Sequence, residues 1–247
     1  MSGQKVSGGR VSGGRHVLLS TDAVGGVWRY TMELAAGLAA RGTRLTLAVL
    51  GPPPDTAQRR EAAAIPLLTL RETGLPLDWT APTPAALTAA AACLAALARE
   101  PGSGIGLAHL HAPALAAARW PVPVLAVAHS DVATWWQAVH GGALPPDLGW
   151  RAAATAAGLR DADAVLAPSA AYARALGAAY GIAPPAVVWN GADAAPAHPP
   201  SPRARHVLAA GRVWDEGKNI ATLAAAARRG GVALLVAGAL TGPHGAE

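Results

Sequence analysis

The sequence predicts an α/β protein, a Rossmann-like doubly wound parallel sheet followed by an incomplete second unit of the same kind. Three observations carry this prediction. Short apolar runs alternate with helical periodicity along most of the chain. The stretch from His16 to Gly42 reads as a buried strand, a Gly-Gly turn and an amphipathic helix. A proline-rich segment, PAHPPSPRA, then separates a long first unit from a short last one. Alternation of this kind places strands side by side beneath crossover helices.

The first strand is His16 to Ser20, where Val17, Leu18 and Leu19 follow one another without a polar break, as suits a strand covered on both faces. In the helix, Val27, Tyr30, Leu34 and Leu38 recur at spacings of three and four and are expected to face the sheet, with Arg29, Glu33 and Arg41 turned away. Gly42 ends it. Gly25 and Gly26 leave backbone N–H groups open to an anion at a helix N-terminus. The G-x-G-x-x-G fingerprint is missing, so the turn alone fits a steric use of glycine as well as a ligand loop.

TRLTLAVLGPPP is the second strand, stopped by prolines, and AIPLLTL at residues 64 to 70 the third. A helix from about Pro84 to Arg99 leads through PGSGIG into LAHLHAP, a fourth strand ending near His111. Ala112 to Arg119 reads as a helix, PVPVLAVA as a fifth strand, and a helical segment with Trp135 and Trp136 follows His129, Ser130 and Asp131. One more helix, Trp150 to Arg160, precedes the strand ADAVLAPS, with a helix start at Ser169, and PAVVWNG is the next strand. Residues 196–204 form the linker, because proline can neither continue a helix nor sit in a central strand. Beyond it come RHVLAAGR, a helix from Lys218 to Arg229, and GVALLVAG. One strand-helix-strand unit falls below the ~50 residues that a domain with its own core needs. The expected division is a Gly/Ser-rich tail at 1–15, a first unit at 16–195 and an unfinished one at 205–247.

Composition narrows the function classes. At 247 residues, 52% hydrophobic and 14% charged, the chain is globular. Phe is absent and the aromatics are 8 Trp and 3 Tyr, so the core rests on Leu, Val and Ala, and large pockets must come from clefts. Lys5, Arg10 and Arg15 supply three of the +5 formal charges, so the pI of about 10.1 overstates how basic the folded part is. No basic face interleaved with aromatics stands out, which argues against nucleic-acid binding. The single Cys93 excludes an internal disulfide and reads as a small buried side chain. The repeated VSGGR opening is no signal peptide, and the Ala-rich helix at 84–99 falls short of the ~20 apolar residues of a membrane span. Cytosol is the simplest compartment, and peripheral membrane contact is compatible with the sequence without being indicated by it.

In open parallel sheets, ligands bind beyond the carboxyl ends of the strands. The polar residues expected there are Asp22 to Gly26, His109 and His111, His129 to Asp131, Ser169, Asn190 to Asp193, and Arg212 to Lys218. His129, Ser130 and Asp131 are consecutive and cannot align as a hydrolase triad, and G-x-S-x-G is missing. His109, His111 and His129 lack a carboxylate or cysteine to complete a zinc site, so their structural reading is favoured. Of Trp135 and Trp136, one is expected in the core and one in the cleft. Arg212, at a strand end, and Lys218, near a helix start, could converge on a diphosphate, or could be solvated partners of Asp215 and Glu216.

Five segments in order, AVGGVWRYTMELAAGLAARG, AVAHSD, ADAVLAPSAAYARAL, VVWNGAD and AAGRVWDEGKN, resemble the family 4 glycosyltransferases of GT-B architecture, over nearly everything from His16 to Gly242. The resemblance implies an acceptor-side N-terminal domain and a C-terminal domain that binds a nucleotide-diphosphate sugar, UDP- or GDP-linked, with no cofactor and no metal. It implies that Gly25 and Gly26 face the donor phosphates, that Arg212 and Lys218 hold the diphosphate, and that His129 contacts the transferred sugar. Ser130, Asp131, Ser169, Asn190 and Gly191 would shape the cleft. The family also carries two glutamates separated by seven residues, and no two of the six glutamates here have that spacing. PGSGIGLAHLH also lacks the acid common before the family's histidine strand. The resemblance therefore implies an N-terminal half with the start of a second domain, acting in retaining transfer to an unspecified acceptor. The rivals are a non-catalytic binding module and a dinucleotide oxidoreductase, the latter opposed by the missing glycine fingerprint and the missing acid about 20 residues beyond it.

Overall fold

The computed structural model describes residues 15–193 and 205–242. Of the tail expected at 1–15 only Arg15 is described, and the linker expected at 196–204 lies outside the described residues. In chain order the elements are β1 (His16–Asp22), α1 (Gly26–Ala39), β2 (Arg44–Leu50), α2 (Thr56–Ala63), β3 (Leu68–Glu72), α3 (Pro84–Arg99), β4 (Leu107–Leu110) and β5 (Val124–Val127). There follow α4 (Val132–Val139), α5 (Gly149–Asp161), β6 (Ala164–Ala167), α6 (Ala170–Tyr180), β7 (Ala186–Val187), β8 (His206–Ala210), α7 (Ile220–Arg229) and β9 (Ala233–Ala237).

The first unit is a seven-stranded sheet in the order β3-β2-β1-β4-β5-β6-β7, with every described pairing parallel. The period of two along β1 explains its double burial. Val17 and Leu19 join Trp28, Met32 and Ala35 of α1 on one face, while Leu18 joins Leu87, Ala91 and Leu94 of α3 on the other. Burying one such leucine contributes roughly 1.5–3 kcal/mol, so β1 anchors both layers. Strand order reverses between β1 and β4, and a crevice opens at their carboxyl ends.

Several expectations are corrected. The buried face of α1 is Trp28, Thr31, Met32, Ala35 and Ala39, one position on from the expected Val27, Tyr30, Leu34 and Leu38, which are only partly buried. The sequence shows two adjacent apolar stripes, and the bulk of Trp28, whose Nε1 donates to Glu61 at 2.7 Å, settles between them. The third strand starts at Leu68 and not at residue 64, because Pro66 lacks an N–H and Leu67 turns with φ 61°. The helix expected at 112–119 is one 3-10 turn, Pro113–Ala116, cut short ahead of Pro121 and Pro123. Cys93 is exposed, since the buried positions of α3 are Leu87, Ala90, Ala91, Leu94 and Ala95. The strand expected from PAVVWNG shrinks to Ala186–Val187 at the sheet edge. Lys218 does not begin the last helix: it closes a 3-10 turn, Glu216–Lys218, and Asn219 at φ 49° breaks the path before α7.

Strands β8 and β9 pair in parallel beneath α7, and Leu208 and Leu235 remain 63% and 51% exposed. An apolar sheet face so bare has little to resist local opening. Limited proteolysis is expected to cut first between residues 196 and 205 and then to degrade residues 206–247, leaving a core that starts near His16. Equal resistance of both units would contradict this.

Candidate functional site

A cavity of about 620 Å³ opens at the crevice, walled on one side by the first unit and on the other by Arg212, Trp214, Asp215, Gly217 and Lys218. Each wall follows from a local rule. Asp22 ends β1, and its Oδ1 accepts the N–H groups of Val24 and Gly25 at 2.8 and 3.1 Å, which fixes the turn into α1. A Cβ on Gly25 would come within 2.7 Å of Arg212 Nη1, so glycine there lets the guanidinium meet bare backbone. Gly26 faces open space.

Beyond β5, His129, Ser130 and Asp131 all line the cavity. Asp131 is buried and caps α4, accepting from the backbone N–H of Ala133 and Thr134 at 2.9 and 3.1 Å. It also accepts from Tyr172 Oη at 2.9 Å and Tyr180 Oη at 2.6 Å, tying α4 to α6. Burial, then the Asp131 charge and hydrogen bond, push both phenols up, so they remain donors.

His129 stands edge-on to Tyr30 with centroids 4.6 Å apart, and His111 lies 5.3 Å from His129 and 4.9 Å from His109. Thr31 Oγ1 donates to Val27 O at 2.7 Å and lies 3.1 Å from His111 Nδ1, so that nitrogen carries the proton. Nε2 of all three imidazoles has no hydrogen-bond partner among the described residues. Burial pushes His109 and His129 down to about 4, and burial with its two neighbours pushes His111 well below its usual value. All three are neutral at neutral pH, suited to hydrogen bonds with hydroxyls and not to holding phosphate. Among the described residues no group of three or more His, Cys, Asp or Glu is placed to hold a metal ion.

On the opposite wall, Arg212 donates through Nε and Nη2 to Asp215 Oδ2 at 3.1 and 2.5 Å, leaving Nη1 against Gly25. The Lys218 stem lies over Gly211, where a Cβ would be 3.6–3.7 Å from its methylenes. Trp135 lines the cavity and packs on Gly217, while the partly buried Trp136 stacks on His140 at 4.2 Å. His140 Nε2 in turn lies 3.5 Å from Glu216 Oε2 across the two units.

The cavity thus brings together His129, Ser130, Asp131, Arg212 and Lys218, with Gly25 at its edge. Ser169 caps α6 through Tyr172 N at 3.1 Å, and Asn190 and Gly191 are exposed beyond β7; none of these three is in the lining. Sequence reasoning missed Asp78, Trp79, Arg151 and Thr155 in the lining. An acid between Leu77 and Trp79, in an otherwise apolar loop after β3, was the available signal for Asp78.

Two α/β units facing each other across a cavity at the carboxyl ends of parallel strands define a GT-B type of glycosyltransferase fold. The sequence profile of Glycosyltransferase Family 4 matches residues 24–195, and the chain belongs to that family. No curated protein sequence matches it. In fold the chain is similar to a Polygonum tinctorium UDP-glucosyltransferase capable of glucosylating indoxyl (15% identity, TM-score 0.51, 82% of this chain and 59% of that one). It is also similar to Arabidopsis thaliana UGT89C1, solved with UDP-L-rhamnose (14%, 0.51, 91% and 66%), and to LpCGTa, solved with UDP (17%, 0.50, 81% and 59%). The chain spans about three fifths of the length of the first of these enzymes. No helix among the described residues is long and apolar enough to cross a membrane.

Proposed function

We propose that the cavity holds a nucleotide-diphosphate sugar, UDP- or GDP-linked, and serves metal-independent transfer of the sugar to an acceptor hydroxyl with retention. Residues 16–195 would be the acceptor-side domain, and residues 205–247 the start of the donor-side domain. One observation carries the reading: two cations from the second unit and the neutral His129 of the first line the same cavity. Solved transferases of similar fold hold UDP or UDP-L-rhamnose, which supports a nucleotide-sugar ligand.

Lys218, and Arg212 through Nη1, would stabilise the negative charge that develops on the departing diphosphate. As the bond from the anomeric carbon to the phosphate oxygen breaks and the bond to the acceptor oxygen forms, that phosphate oxygen takes the acceptor's proton. His129 would orient the sugar through a neutral hydrogen bond, and Asp131 would hold it in place by fixing the start of α4. The bare faces of Leu208 and Leu235 favour one alternative, a non-catalytic binding module. Without the glutamate pair, the chain alone is expected to bind and not to turn over.

UDP should bind in the high-micromolar to millimolar range, about −4 to −6 kcal/mol, more weakly as salt rises and better than uridine. Lys218→Ala and Arg212→Ala should each abolish binding in a calorimetric or NMR titration, whereas Arg228→Ala, in the last turn of α7, should not. Equal responses to UDP and uridine would refute the diphosphate assignment, and measurable sugar transfer would refute the binding-only expectation.

A further inference from the structure

The residues that line the cavity fall into two unlike groups. Arg212 and Lys218 make one of them cationic. The other is formed by Leu50, Leu77, Leu115, Leu148 and Trp79, with the carboxylate of Asp78 set among them. Resting on the transferase reading above, we propose that this second group of residues receives the acceptor, that Asp78 accepts a hydrogen bond from a hydroxyl other than the one that receives the sugar, and that the acceptor is an uncharged polyol with an apolar body.

The loop that carries Asp78 is held from several sides. Arg151 Nη1 donates to the carbonyl oxygens of Asp78 and Ala81 at 3.0 and 3.1 Å, and its Nη2 donates to Ala81 O at 3.0 Å. Leu77 is buried against Gly51, where a Cβ would come within 2.8 Å of its Cδ1, and Leu77 N donates to Thr80 Oγ1 at 3.0 Å. A side chain on such a loop is positioned before any ligand arrives, which lowers the cost of binding.

The chemistry of the pocket selects the ligand. Asp78 accepts the backbone N–H groups of Asp78 and Trp79, and an ionised carboxylate offers about four lone-pair sites, so acceptor capacity remains. Burial outweighs these bonds and the Arg151 charge and pushes the carboxyl up to about 6, so it is mostly ionised at neutral pH. A charge in apolar surroundings is stabilised by a donated hydrogen bond. Asp22 adds a second negative charge to the same lining. A carboxylate or phosphate on the acceptor would meet repulsion here, while the leucines and Trp79 reward an apolar body.

The test uses two amphiphiles with the same tail, octyl β-D-glucoside and octanoate, at monomeric concentrations and with UDP at saturation. Tryptophan fluorescence reports binding, since Trp79, Trp135 and Trp214 line the cavity. The glucoside should bind at least tenfold more tightly than octanoate, since a hydrogen bond to a charged group is worth about that factor or more. Asp78→Ala should weaken the glucoside about tenfold, and Asp78→Asn should strengthen octanoate, with UDP affinity unchanged in both as the control for folding. Equal affinities of the two probes for the unaltered protein while UDP binds, or glucoside affinity indifferent to Asp78→Ala, would overturn the proposal. Failure of the unaltered protein to bind UDP would instead overturn the transferase reading.

Discussion

Gly158→Ala is expected to lower stability by about 3 kcal/mol or more, a large share of the ~5–15 kcal/mol that holds a typical domain folded. A Cβ at this position of α5 would stand 1.8 Å from Pro113 O and 2.5 Å from Pro113 C. Both obstacles are backbone, so no side-chain rotation relieves them, and α5 must retreat from the 3-10 turn Pro113–Ala116. That retreat would also move Arg151 and Thr155, which line the cavity. Gly37→Ala is the control: inside α1 the nearest atom would be Arg41 Nη1 at 3.7 Å, so the usual helix benefit of ~0.5–1 kcal/mol should appear. Urea unfolding midpoints decide it, and similar values for Gly158→Ala and the unaltered protein would contradict the packing described.

Acid is expected to unfold the protein while its midpoint is still above pH 4. His109 and His129 are held down to about 4 against 6.5 in the unfolded chain, and His111 is held lower still. The unfolded chain therefore binds protons first, so stability present above pH 6.5 is lost as pH falls towards 4. Each of the first two accounts for about 3 kcal/mol at full protonation. Asp78 works in the opposite sense: raised to about 6 from 3.8, it protonates first in the folded state and offsets part of the loss. His109→Gln should move the acid midpoint down in a far-ultraviolet circular dichroism titration. Constant stability from pH 7 to 4.5 would show that the imidazoles are not buried as a group.

The sheet was legible because β1, β2 and β5 carry unbroken apolar runs that only a doubly covered strand explains. Ser169 and Gly42 could be read as helix boundaries from their type alone, since a hydroxyl cap and a left-handed glycine follow from local physics. Where two local readings competed, tertiary packing decided. Trp28 pulled α1 round by one position, and the backbone of Pro113 against Gly158 leaves room for only a short turn where a helix was expected. Of the site, His129, Arg212 and Lys218 were visible because charged or polar residues follow apolar strands. Asp78 and Arg151 were not, because they enter the cavity from a loop after an edge strand and from the first turn of a helix, where no spacing marks them.

The central claim is that one ligand spans both walls of the cavity. An NMR titration with UDP, read at backbone amides, tests it most directly. The account predicts that Gly25 and Gly26 shift together with residues 211–219, with one dissociation constant for both groups. Shifts confined to one wall, or none at either, would contradict it.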